Sequence, residues 1–94
     1  MYNRILRQMR ECIRLRQYVM TLHAEEEMSD DGLAIFDIER AILTGEVLER
    51  QEDHQTGEWK YVIGGHSVQG EPLAVVARLS PLGKLVIITV YRWG

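Results

Sequence analysis

Cysteine is nearly absent from this 94-residue chain: Cys12 stands alone. A single thiol excludes an intrachain disulfide and a paired-cysteine metal knuckle, and so excludes a self-contained zinc ribbon. Long apolar runs are missing too, and none approaches the ~20 residues that a membrane-spanning helix needs. The opening MYNRILRQMR has charge but no apolar stretch behind it, unlike a signal peptide. Repeats, low-complexity tracts and linkers are absent, as is any motif that spells out a reaction. These absences predict one cytosolic domain over residues 1–94, with no resident cofactor or metal and no membrane association.

What is present suits a globular fold. Hydrophobic residues make up 46% and charged residues 27%, a balance that argues against disorder. The formal net charge of −3 hides a strong asymmetry. Residues 1–20 carry five arginines against Glu11; residues 21–58 carry twelve acids against Arg40 and Arg50. Residues 59–94 are basic again. Segregated charge can steer a partner or be neutralised within the fold. A pI near 5.6 counts against a dedicated high-affinity nucleic-acid binder.

The hydrophobic period is helical in the first half and two in the second. A helix is predicted from about Asn3 to Arg16, with Ile5, Met9, Cys12 and Ile13 as its apolar stripe and Arg7, Arg10 and Arg14 on another face. That arginine face is either a solvated surface paired with the acidic middle of the chain or a docking site for phosphates or acidic protein. Tyr18 to Leu22 reads as extended. A short helix follows from His23, with Thr21 as its cap, and a further helix runs from about Ile35 to Thr44, where Gly45 is expected to supply a left-handed stop. Val47–Gln51, Trp59–Gly64, Leu73–Leu79 and Lys84–Trp93 read as strands, the first a weak edge and the last interior. Ser80 to Lys84 suits a hairpin turn closed by Gly83 in the left-handed region. The expected fold is α+β: N-terminal helices packed on a C-terminal, mostly antiparallel sheet of about four strands.

Three groups of residues invite chemistry. His23 stands where an extended segment meets a helix start, and Glu27 lies four residues on, but two ligands do not make a metal site. The carboxylates between Glu25 and Asp31 lack any local sign of a pocket that would raise one pKa for general-acid work. Lys60, Tyr61, Arg78, Tyr91 and Arg92 are basic and aromatic residues on strands, the kind of set that cleaves RNA without metal. Cations stabilise the phosphorane while a Lys, Tyr or His moves protons. An uninterrupted hairpin places Arg92 opposite residue 72 and on the same face as Arg78, about 20 Å apart along the strand. Ordinary charged strand ends are the alternative reading.

The run His23-Ala24-(x)3-Met28, then Gly32, Asp37-Ile38-Glu39, Ala41-Ile42-Leu43-(x)-Gly45-Glu46, the glycine-closed hairpin and Lys84 through Tyr91-Arg92 resemble the bacterial family named domain of unknown function 4258. The resemblance covers roughly Tyr18 to Arg92. It implies a fold similar to the RelE/ParE toxin superfamily, with an element order like that of MqsR-type toxins. It further implies a type II toxin-like protein, an mRNA endoribonuclease held inactive by a zinc-finger antitoxin of the MqsA/YgiT kind. The family pattern carries His23, Tyr91 and Arg92 as catalytic candidates; Lys60 joins them from the residues alone, with Arg78 and Arg14 as nucleic-acid contacts. Glu27 and Asp31 stand where that pattern commonly has arginines. The alternative function is a non-enzymatic protein-interaction module of the same fold.

Overall fold

The computed structural model describes residues 2–93. The elements run α1 (Asn3–Arg14), β1 (Tyr18–Met20), α2 (Leu22–Asp30), α3 (Ile35–Thr44), β2 (Glu46–Glu52), β3 (Trp59–His66), β4 (Pro72–Leu79) and β5 (Leu85–Arg92). The α+β class is as expected. The sheet differs: it has five strands in the order β1-β5-β4-β3-β2, and β1 pairs parallel to β5. Tyr18–Met20, within the stretch read as extended but not counted among the strands of the sheet, adds three residues of parallel ladder beside Leu85–Ile87. Among the described residues no helix is long and apolar enough to cross a membrane.

All three helices pack on one face of the sheet. Leu6, Met9, Cys12 and Ile13 of α1 and Ile38, Ala41 and Ile42 of α3 meet Tyr61, Ile63, Leu73, Val75, Ala77, Leu85, Ile87 and Val90 in one core. Burial of a Leu or Ile side chain stabilises by roughly 1.5–3 kcal/mol, so this layer contact dominates folding. The opposite face has no helix over it among the described residues. Val62, Ala74 and Val76, with Ile88 against them, form a small cluster there.

Local signals account for most boundaries. The Thr21 hydroxyl accepts the Ala24 N–H at 3.1 Å and caps α2. The Asp37 carboxylate reaches back to the Ala34 N–H at 2.8 Å, the returning half of a capping box at the start of α3. Helix α1 ends two residues earlier than expected. Gln17 N–H returns to the Cys12 carbonyl at 2.8 Å while Arg16 takes φ 57°, the left-handed position that glycine usually fills. Gly83 has φ 84° and closes the β4–β5 turn as predicted.

Gly45 corrects an expectation. Its φ is −90°, so it is not a left-handed stop. A Cβ there would lie 2.3 Å from the Gly64 carbonyl oxygen and 2.5 Å from that of Ala41. Close backbone approach, rather than handedness, demands glycine at this site.

Candidate functional site

The β4–β5 ladder decides which candidate side chains meet. Arg78 pairs with Val86 and Ala77 with Ile87, but Val76 pairs with Thr89, leaving Ile88 as an extra residue in β5. Such a bulge shifts register by one and reverses which face each later side chain takes. Arg92 therefore lies opposite Leu73, not residue 72, and on the helix-covered face; Tyr91 lies opposite Ala74, on the uncovered face. The expectation that Arg78 and Arg92 share a face is overturned. The bulge parts them across the sheet as well as along it.

The candidates thus fall into separate places. Lys60 and Arg78 lie at one end of the uncovered face, near Asp53. The Asp53 carboxyl is held below its usual range first by the Gln55 N–H; burial opposes this, while the Thr56 N–H and the charges of Lys60 and Arg78 add to it. Arg78 is bound to Glu58, with nitrogen and oxygen 2.9 Å apart. His23, on the first turn of α2, has an exposed ring whose Nε2 is 3.3 Å from Glu27 Oε1. Arg14 lies on the outer face of α1 and reaches Glu11 at 3.5 Å. Arg92 closes an ion pair with Glu71 and donates to the Asp31 carbonyl. Among the described residues no three of His, Cys, Asp and Glu gather as a metal ion would require.

Arg92 stands at one wall of a groove of about 390 Å³ between the α2–α3 connection and the β3–β4 loop, with Leu33, Phe36, Asp37 and Val68 among its lining. Asp37 holds the two walls together: besides its bond to Ala34, its Oδ1 accepts the Val68 N–H at 2.9 Å. A second hollow, of about 350 Å³, lies on the uncovered face between Leu48 and Trp93, with Gly64 beneath and His66 and Pro72 beside it.

Two charged residues with structural work were missed from sequence. Arg10, read as part of an arginine face that is either solvated or a docking site for phosphates or acidic protein, turns instead onto α3. Its Nε donates to the Ile42 carbonyl at 3.0 Å and its terminal nitrogen to Gly45 at 2.7 Å. That satisfies carbonyls at a helix C-terminus and places a cation at the negative end of the helix dipole. Glu27 accepts the Val90 N–H at 3.1 Å, and the Thr21 hydroxyl donates to the Ile88 carbonyl at 2.9 Å. Beyond Ile87 the strand β1 no longer covers β5, so α2 supplies side chains that satisfy its edge. A carboxylate at position 27 suits that task, because an edge N–H needs an acceptor and an arginine has none. The usable signal was the departure from the family pattern at that position.

Residues 20–92 match the family model described as Domain of unknown function (DUF4258). The chain belongs to this family. Neither a curated protein nor a solved structure gives a significant match. In this member the family-derived candidates Tyr91 and Arg92 sit next to each other in sequence but on opposite faces of the sheet.

Proposed function

We propose that this family member is a non-enzymatic protein-interaction module that binds a partner chain through the uncovered side of its sheet. One observation carries the reading: Tyr91 and Arg92 face opposite sides of the sheet, and the three candidate arginines each have a carboxylate of the same chain beside them. Arg92 has Glu71, Arg78 has Glu58 and Arg14 has Glu11, while the exposed His23 ring lies 3.3 Å from Glu27. A phosphate approaching any of these arginines has to displace a carboxylate first. The uncovered face, in contrast, offers apolar and aromatic side chains, Leu48, Trp93 and Tyr91, that are each more than a third exposed. Aromatic residues flanked by polar ones are characteristic of protein interfaces.

A second reading keeps the toxin-like protein of a type II system, an mRNA endoribonuclease restrained by a zinc-finger antitoxin. It is favoured by Lys60 and Arg78, which flank the antiparallel pair Tyr61 and Ala77 and so stand side by side on the uncovered face. Regulated expression in a bacterial host separates the two. The interaction module leaves growth and RNA ends unchanged when soluble protein accumulates. Growth arrest with new, sequence-biased RNA ends, abolished by Arg92→Ala or His23→Ala, establishes the ribonuclease instead.

A further inference from the structure

We propose that β2 receives an extended, basic segment of a partner protein as an added strand, with one apolar side chain of that segment seated between Leu48 and Trp93. The inference rests on the interaction reading above and names the partner's chemistry.

Three observations converge on this edge. First, β2 is the terminal strand: it bonds to β3 on one side, and six of its seven residues are exposed. The backbone groups of its outer side are free to pair with an incoming strand. Beyond the bulge at Leu48, residues 49–52 run straight in register with β3, about 13 Å of ladder at ordinary strand rise.

Second, the bulge presents a pocket beside that ladder. It turns Leu48 onto the uncovered face, where the side chain is 45% exposed and looks toward Trp93, also 45% exposed. Gly64 keeps the space between them open. A Cβ there would stand 2.6 Å from Leu48 Cδ1 and 3.2 Å from Trp93 Cζ2. Strand addition works through main-chain bonds for affinity and side-chain pockets for selectivity, and this edge has both.

Third, charge selects the occupant. Glu46, Glu49 and Glu52 lie along the strand, and Asp53 follows it. Arg50, the one cation of β2, is stacked 3.9 Å from the Trp59 ring centroid. A second copy of the chain pairing through this edge places acid beside acid, which is unfavourable. Glu46 pairs with Gly64 and Glu49 with Val62, so both acids share the uncovered face with the pocket. A segment that carries lysine or arginine and one apolar side chain on the same face, at alternate positions, places cations beside them and the apolar side chain in the pocket.

The test is a titration of the intact, isotope-labelled protein with a capped heptapeptide that has threonine at its odd positions and lysine, leucine and lysine at its second, fourth and sixth, so that cations and leucine share one face. A peptide with glutamate in place of lysine is the control. Amide shifts are expected at residues 46–52, Gly64 and Trp93, and amide exchange over 49–52 is expected to slow. Glu49→Lys is expected to weaken binding about tenfold at low salt, as loss of one charge pair and gain of a repulsion requires. Unmoved distant amides verify that the variant is folded. No shift at millimolar peptide overturns the proposal, as does equal binding of the glutamate peptide. Protection of 49–52 that rises with protein concentration alone overturns it in favour of a second copy. The expression experiment judges the interaction reading separately: a failed titration with intact RNA removes only the β2 edge, whereas cleaved RNA removes the reading itself.

Discussion

Replacing Gly65 by alanine measures how closely α3 is seated on the sheet. Gly65 is on the helix-covered face of β3, opposite Leu73. A Cβ built on it lies 2.4 Å from the Ala41 carbonyl oxygen and 2.8 Å from the Ala41 Cα. Carbon atoms pack best about 3.5–4.0 Å apart, so α3 has to retreat by roughly an ångström. Both contacts are backbone, so no side-chain rotation relieves them, and the retreat loosens Ile38 and Ile42, which are fully buried on the same helix. Overpacking commonly costs about 1–3 kcal/mol where side chains can give; with backbone on both sides the upper end, about 3 kcal/mol, is expected here. For a domain of this size that lowers Tm by about 12 °C or more. Urea unfolding followed by tryptophan fluorescence gives the free energy directly. Gly70→Ala is the control, because a Cβ there meets open space and only φ 88° opposes it. A Gly65→Ala protein within about 1 kcal/mol of wild type, or less damaged than Gly70→Ala, refutes the reasoning, since ordinary surface changes fall in that range.

Other perturbations probe the separate links. Arg10→Ala orphans the Ile42 and Gly45 carbonyls at the end of α3 and is expected to cost about 1.5–3 kcal/mol by urea unfolding, the range for charge-assisted bonds; a loss below about 0.5 kcal/mol returns Arg10 to the solvated face. Arg16→Gly relieves a left-handed backbone at the end of α1, offset by glycine's unfolded-state entropy, so a gain of up to about 1 kcal/mol is expected; destabilisation shows that the arginine side chain has a task of its own. Tyr18 donates to Glu39 at 2.6 Å, and burial, then that bond and the charge of Glu39, push its hydroxyl up to about 12 from 10.0. The folded protein therefore holds a proton that the unfolded chain releases first. The resulting stability is present below pH 10 and is lost as pH rises toward 12. Wild type is thus expected to lose more stability between pH 9 and 11 than Tyr18→Phe does; parallel losses in the two proteins show that Tyr18 does not drive the decline.

The fold was legible where one local rule determined an element, and less so where two strands had to agree. Thr21 before α2 and Gly83 in the last hairpin each obey a rule written within four residues of sequence, and both landed as read. The bulge at Ile88 does not. Ile87-Ile88 is equally apolar on either register, so nothing local says which residue is skipped, and that choice alone sets the face of Tyr91 and Arg92. The same ambiguity hides the bulge at Leu48 and with it the pocket beside Trp93. The adjacent glycines 64 and 65 show what was recoverable. One faces α3 at backbone contact and the other forms the floor of the hollow between Leu48 and Trp93, so a glycine pair inside an apolar strand marks a place on each side of the sheet where a side chain would not fit.

The charged residues follow the same logic. Counting arginines at helical spacing on α1 identified a basic face, but whether each cation meets water, a phosphate or a helix end depends on the neighbouring element, and Arg10 turned out to face α3. The acids at positions 25–58 likewise read as one block, yet in the fold they divide by task. Glu27 closes the edge of β5 and Asp37 clamps a loop. Glu39 holds Tyr18 and Glu58 holds Arg78. Among the acids not so engaged, Glu46, Glu49 and Glu52 lie along a free strand edge, with no ion pair to a cation of this chain among the described residues. A charge excess that the fold does not consume is the part available to a partner, and on β2 it lies beside the apolar pocket at Leu48 and Trp93.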